Sequence, residues 1–186
     1  MTPFELTDGV VLLDLPGPDD VEAVFRVCQD PDIQHWTTVP SPYRREHALS
    51  FVTEFIPNGW ADGSGQTWVV RDVADGNALV GAIGLVTQPV RSAVIGYWLA
   101  PGARGRGLMG RAVVLVLDAA FDRLDLDRVE WRADEGNAPS RAVAERAGFR
   151  VEGCLRGGSV HGETRRDVWV GTVLRADDRP VLAIPG

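Results

Sequence analysis

The sequence predicts an α/β fold with a mixed central sheet. Three observations carry this. Apolar runs of strand length alternate with amphipathic runs of helix length, in the order β-α-α-β-β-β-α-β-α-β-β rather than as repeated βαβ units. Asp75-Gly76-Asn77 lies between two strand-like runs and is a hairpin signal. The last two apolar runs, Phe149–Leu155 and Asp167–Leu174, read as a closing antiparallel pair. About seven strands and about four helices are expected, in one domain spanning 1–186.

Each element has a local reason. Val10–Leu15 reads as the first strand. Asp19 or Asp20 caps a helix that runs to about Cys28 and stops near Pro31. Ser41-Pro42 offers an N-cap with proline at the first helical position. The helix after it carries Ala48, Leu49, Phe51, Val52, Phe55 and Ile56 and ends before Pro57-Asn58-Gly59. Strands follow at Thr67–Arg71, Leu79–Val86 and Ala93–Leu99. A helix over Leu108–Phe121 shows Val113, Val114, Leu117, Ala120 and Phe121 on its apolar side. Arg128–Arg132 is a further strand. Asn137 caps a short helix that ends at Ala147-Gly148, where Gly148 suits the left-handed position after a helix.

Composition narrows the functional classes. Apolar residues make up 45% and charged residues 24%, the balance of a soluble globular chain. No apolar run approaches membrane-spanning length, and Met1-Thr2-Pro3-Phe4-Glu5 lacks the pattern of a signal peptide, so a cytoplasmic setting is expected. The net charge of −7 argues against nucleic acid and mildly favours cationic acceptors. All 19 basic residues are arginine, which excludes a catalytic lysine. Cys28 and Cys154 form no CxxC pair and are expected to be reduced. His35, His47 and His161 lack metal-ligand spacing, so no metal is expected.

The stretch Gly105-Arg106-Gly107-Leu108-Met109-Gly110 sits between a strand and a helix. Glycines there let the backbone approach an anion, and the first helical N–H groups point at it. Read literally it is G-x-G-x-x-G, the dinucleotide fingerprint. That fingerprint normally follows the first strand of its fold closely. Here three or four strands precede it, and Ala100–Arg104 intervenes after Leu99. Arg104 and Arg106 add guanidinium donors suited to a pyrophosphate.

Ile95-Gly96-Tyr97-Trp98-Leu99, followed by Arg104-Gly105-Arg106-Gly107-Leu108-Met109, resembles the acetyl-coenzyme A motif of the GNAT N-acetyltransferase superfamily, R/Q-x-x-G-x-G/A. Met109 departs from the small last residue and is similar to the branch holding the RimJ/RimL-type N-terminal acetyltransferases. Asn137-Ala138-Pro139-Ser140 and Gly148-Phe149-Arg150-Val151-Glu152-Gly153-Cys154-Leu155-Arg156 resemble the N-x-x-S…GF-x-x-E-G-x-x-R region of that branch. Trp36, Pro40 and Pro42 agree more loosely.

The resemblance implies acetyl-CoA as cofactor, bound by Trp98, Leu99, Arg104, Gly105, Arg106, Gly107, Leu108, Met109, Gly110, Asn137 and Ser140. It implies transfer of an acetyl group to a primary amine, either a protein N-terminal α-amine or a small-molecule amine. By the same resemblance, the N–H of Leu99 faces the thioester carbonyl oxygen, and Ser140 stands beside the sulfur. A glutamate on the strand before Gly-Tyr, frequent in the family, is absent from Ala93-Val94-Ile95. The general base stays open among Glu152, His161, Glu163, His35 and water. Trp36 is the candidate for lining the acceptor cleft, and a homodimer is compatible with the resemblance. A non-catalytic acyl-CoA-binding module and a dinucleotide-dependent oxidoreductase remain as alternatives.

Overall fold

A computed structural model describes residues 1–161 and 163–180. One open sheet of eight strands runs through them: β1 (Leu6–Thr7), β2 (Val11–Asp14), β3 (Gly65–Asp72), β4 (Ala78–Gln88), β5 (Ser92–Leu99), β6 (Arg128–Asp134), β7 (Arg150–His161) and β8 (Thr164–Leu174). The order across the sheet is β1-β2-β3-β4-β5-β6-β8-β7, and only β5 and β6 are parallel neighbours. The α-helices are α1 (Val21–Val27), α2 (Pro31–Trp36), α3 (Arg45–Ser50), α4 (Ile56–Asp62), α5 (Leu108–Asp122) and α6 (Ala138–Arg146).

Successive side chains on β5 divide the core in two, as the period of a strand requires. Ile95, Tyr97 and Leu99 pack into the main cluster with α5, α6 and the buried Trp131 of β6. Trp98 turns the other way, to a smaller cluster of Val21, Val24, Ile33, Tyr43, Ala48 and Val52 from α1 to α3 and the turn after it. The apolar run of α5 is buried around most of its circumference, Ala112 through Phe121.

The mixed α/β class agrees with the expectation, while several boundaries differ for local reasons. Leu6–Thr7 adds an eighth strand by pairing with Leu12 and Leu13. Pro31 starts a helix instead of stopping one. The Asp30 carboxylate accepts the Ile33 N–H at 3.0 Å, and proline occupies the first turn, where its missing N–H costs nothing. Ser41-Pro42 forms a cis peptide rather than a cap, and α3 begins at Arg45, where His47 Nδ1 accepts the Arg44 N–H at 3.0 Å. The long helix expected to end before Pro57 continues through a π-helical turn at Phe51–Phe55 into α4, which tolerates Pro57 in its first turn. β7 runs past Leu155 to His161, with register shifts on the way. Gly162, the next residue, lies outside the described residues.

Arg71 on β3 ties these layers together. Its Nε lies 2.7 Å from Asp14 on β2, and its Nη2 lies 2.8 Å from Asp20, just before α1. All three side chains are largely buried, so the pairs are shielded from solvent.

Candidate active site

β5 and β6 pair only from Ser92↔Arg128 to Ile95↔Trp131. Beyond Ile95 the strands part, while β6 stays paired to β8 as far as Asp134↔Val168. β5 also stays paired to β4, through Gly81↔Leu99. Antiparallel hydrogen bonds alternate along a strand. The Ala100 N–H donates to Val80 O at 2.7 Å, so Trp98 also directs its backbone groups at β4. The N–H and C=O groups of Tyr97 and Leu99 therefore face the opening left by β6. Gly81 makes the close approach of β4 feasible, since a Cβ there would lie 2.5 Å from Trp98 O.

The glycine turn stands at the mouth of this opening. Gly105 and Gly107 hold φ of +75° and +78°. A Cβ at either would meet nothing within 4 Å, so their conformation, not crowding, requires glycine. The first α5 bond runs from the Arg111 N–H to Gly107 O, at 3.1 Å. That leaves the N–H groups of Leu108, Met109 and Gly110 without a partner inside the helix. The side chains of Leu108 and Met109 are buried in the core, so these residues can meet an anion only through their backbone. Replacing Gly107 with valine is expected to cost about 1–2 kcal/mol of backbone strain. The Tm should then fall only a few degrees, while coenzyme A affinity measured by calorimetry drops tenfold or more.

The two arginines of the turn are paired with carboxylates. Arg104 is held by Asp30 at 2.5 Å, by Asp32 at 2.9 Å and by Leu99 O at 3.2 Å. Arg106 Nη1 lies 2.6 Å from the buried Asp72. Each guanidinium thus meets a carboxylate, and the first N–H groups of α5 stand beside them without a partner inside the helix. Arg104 also fastens the start of α2 to the end of β5, a link across 74 residues.

Asn137 caps α6: its Oδ1 accepts the Ser140 N–H at 3.2 Å. The cap brings Ser140 to the wall of the opening. Ser140 Oγ accepts the Trp131 Nε1–H at 3.0 Å and lies 3.2 Å from Tyr97 Oη. The Tyr97 hydroxyl in turn donates to Ser140 O at 3.0 Å. Burial pushes the Tyr97 phenol up to about 12, so it stays a neutral donor. Tyr97 and Trp131 escaped sequence reasoning as site residues. The only hint was that Tyr97 shares a strand face with Leu99.

Trp98 belongs to the other side of β5. Its backbone is committed to β4, and its ring packs with the α1–α3 cluster, 6.4 Å from Phe51. Glu152 is separated from Ser140 by the sheet itself. Its Oε1 accepts the Thr172 hydroxyl at 2.5 Å, and Thr172 pairs with Glu130. Glu130 and Trp131 point to opposite faces of β6, and Ser140 is on the Trp131 face.

His161 lies elsewhere, in a cluster at the end of β6. Its Nε2 is 3.1 Å from Asp134 Oδ2, which also accepts Arg166 Nη1 at 2.9 Å. Ser159 Oγ donates to Asp134 Oδ1 at 2.7 Å. Arg166 further donates to His35 O at 2.8 Å, tying in α2. Trp36 edges toward the β6–α6 turn: its Cη2 would lie 3.5 Å from a Cβ on Gly136. Trp36, His161 and the end of β6 are thus gathered on one side. His35 and Glu163 are exposed.

Among the described residues, Glu135, Cys154 and Asp167 bring one ligand atom each within 4.8 Å of one another. Glu135 and Cys154 are exposed there, and the Asp167 Oδ1 already accepts the Gly157 N–H at 2.7 Å. An apolar cavity of about 220 Å³, lined by residues including Leu15, Val52, Ile56 and Trp60, shares no residue with the opening.

Comparison with known proteins identifies the family and the fold. The family described as an acetyltransferase (GNAT) domain matches residues 11–150. "Putative ribosomal N-acetyltransferase YdaF" of Bacillus subtilis (strain 168) is 44% identical over 83 residues, which is 44% of this chain and 45% of the relative. The matched stretch thus spans about half the length of that relative. Mycobacterium smegmatis RimJ, solved in complex with CoA-disulfide, superposes with a TM-score of 0.79 at 24% identity, covering 93% of this chain and 86% of its own. RimL, described as a ribosomal L7/L12 alpha-N-protein acetyltransferase in complex with coenzyme A, superposes with a TM-score of 0.80 at 21% identity, covering 90% and 96%. At these identities the two structures show the shared fold.

Proposed function

The chain belongs to the acetyltransferase (GNAT) family, and on that premise we propose that it is an acetyl-CoA-dependent N-acetyltransferase of the RimJ/RimL type acting on a primary amine. One observation carries the reading: β5 leaves β6 after Ile95, and the anion-seeking turn Gly105–Gly110 lies at the mouth of the gap. The dimensions of the chemistry suit this place. A strand edge with unpaired N–H and C=O groups can hold the two amides of a pantetheine arm in the manner of a missing strand. The open space over Gly105 and Gly107 leaves room for a pyrophosphate on the N–H groups.

Acetyl-CoA supplies the activated acyl carbon. The residues supply the rest. The Leu99 N–H is the donor for the carbonyl oxygen, a kind of contact worth roughly 3–4 kcal/mol when charge builds on that oxygen. Ser140, steadied by Trp131 and Tyr97, offers its hydroxyl to the departing sulfur. Asn137 holds the turn that presents it. The acceptor is a protein N-terminal α-amine or a small amine, and the reading carries with it a cytoplasmic setting and a homodimer. No helix among the described residues is long and apolar enough to cross a membrane.

Two measurements test the proposal. Coenzyme A should raise the Tm and a nicotinamide dinucleotide should not; the reverse would favour an oxidoreductase. Thiol release from acetyl-CoA should depend on an added amine across a panel of peptides and small amines. Stabilisation by coenzyme A without turnover of any amine would instead identify a binding module.

A further inference from the structure

We propose that Asp134 is the positioning residue that makes His161 the proton acceptor for the incoming amine. The inference rests on the acetyltransferase reading above and adds to it the identity and support of the base. Three features of the cluster point this way.

The first is the state of the Asp134 carboxylate. It is buried, yet it is satisfied by the Ser159 hydroxyl at 2.7 Å, Arg166 at 2.9 Å and His161 Nε2 at 3.1 Å. A carboxylate held this way fixes the imidazole ring and draws the ring proton to Nε2. Nδ1 is then the nitrogen with the lone pair, and the imidazolium formed on proton uptake has its counter-charge in place.

The second is position. Asp134 is the last residue of β6, beyond the point at which β5 has left it. Its carbonyl accepts the Asn137 N–H at 3.1 Å, so the cluster begins one turn before the helix that carries Ser140. Asp134 and Glu130 share a strand face, opposite that of Trp131. Ser140 is bonded to Trp131. The sulfur-side hydroxyl and the His161 cluster therefore flank the opening from opposite faces of the sheet. The proton acceptor and the sulfur-side hydroxyl thus stand at separate places around the opening, one serving the entering amine and the other the departing thiolate.

The third is the tie to the acceptor side. Arg166 bonds both Asp134 and His35 O, and Trp36 edges toward Gly136 in the turn after Asp134. The groups facing His161 from neighbouring elements are Asp134 of β6 and Arg166 of β8, with the exposed His35 of α2 behind Arg166. In the step itself, the amine nitrogen forms its bond to the acyl carbon as charge moves to the carbonyl oxygen, and the carbon–sulfur bond breaks as the carbonyl returns. The proton shed by nitrogen goes to Nδ1 of His161. The thiolate takes up a proton from solvent at the Ser140 side.

The test uses the full chain with acetyl-CoA and an amine that the wild type turns over. His161→Gln should lower kcat/KM by 10²-fold or more and abolish its acid limb. Asp134→Asn, which keeps the shape and the Ser159 contact, should lower kcat/KM by tenfold or more and move the acid limb. Acetyl-CoA affinity should hold within threefold in both. The double variant should be no slower than His161→Gln alone, because two residues acting as one unit are not additive. Effects that multiply, or an unmoved acid limb in both single variants, would overturn the proposal and leave the acetyltransferase reading intact. A wild type that binds acetyl-CoA and acetylates no amine would overturn both. If Asp134→Asn does not fold, His161→Gln decides: less than a tenfold loss with the acid limb retained rejects the base.

Discussion

Alanine in place of Ser140 is expected to lower kcat about 10²-fold, with KM for acetyl-CoA changed little. The reason is where the hydroxyl sits. It is held between Trp131 Nε1 at 3.0 Å and Tyr97 Oη at 3.2 Å, on the wall that a thioester sulfur would face. A contact made to charge that develops only as the thiolate leaves acts on kcat rather than on ground-state binding. The substitution also removes the acceptor of the Trp131 indole N–H. A buried donor without a partner costs about 1–3 kcal/mol, so a fall in Tm accompanies the kinetic loss. Tyr97→Phe separates the two effects. It removes the neighbouring phenol but keeps the Ser140 hydroxyl and its bond from Trp131, so it should cost about tenfold or less. Steady-state kinetics over a series of acetyl-CoA concentrations, with melting curves on the same samples, reads both. A Ser140→Ala enzyme within threefold of wild type in kcat would remove Ser140 from the chemistry.

Arg71→Ala should give the largest loss of stability, about 3 kcal/mol, from leaving Asp14 and Asp20 largely buried without their shared cation. For a chain of this size that is a fall in Tm of about 6–12 °C. The loss should depend on pH with a definite sign. Burial raises the Asp20 carboxyl, but the bonds from Arg71 and from the Gly17 N–H outweigh it and hold the group below its ordinary value. A depressed folded-state value gives stability that is present above the unfolded value, near 3.8, and is lost as pH falls through the folded one. Burial wins at Asp14, whose carboxyl stays above the ordinary range in spite of Arg71, so its contribution runs the other way. Without Arg71 both carboxyls should prefer the protonated form in the fold. The gap in Tm between wild type and Arg71→Ala should therefore be widest near neutrality and narrow as pH falls below about 4. Melting curves at pH 7, 5 and 3.5 check this, and a gap that widens on acidification would contradict the assignment.

Local chemistry shows how much could be read before the chain was folded. The helix at Leu108, the cap at Asn137 and the left-handed Gly148 depend on neighbours within about five residues. All of these were legible, and with them the acetyl-donor motif. Pro31 was misread because proline serves equally as the end of one helix and the start of the next. The Asp30 carboxylate decided between them. Tyr97 and Trp131 were visible as apolar strand residues, but nothing local says that their polar atoms converge on one hydroxyl.

The sequence by itself determined the mixed α/β class, the glycine turn between a strand and a helix, and Ser140 in the first turn of a capped helix. These follow from backbone preferences and hydrophobic period, which act over short range. Only the tertiary structure decided what the charged residues do. It gave Arg104 to Asp30 and Asp32, Arg106 to Asp72, Glu152 to Thr172, and His161 to Asp134. These partners lie from 20 to more than 70 residues apart along the chain. A charge finds its partner through the register of strands and the opening between β5 and β6, and register is a property of the folded sheet.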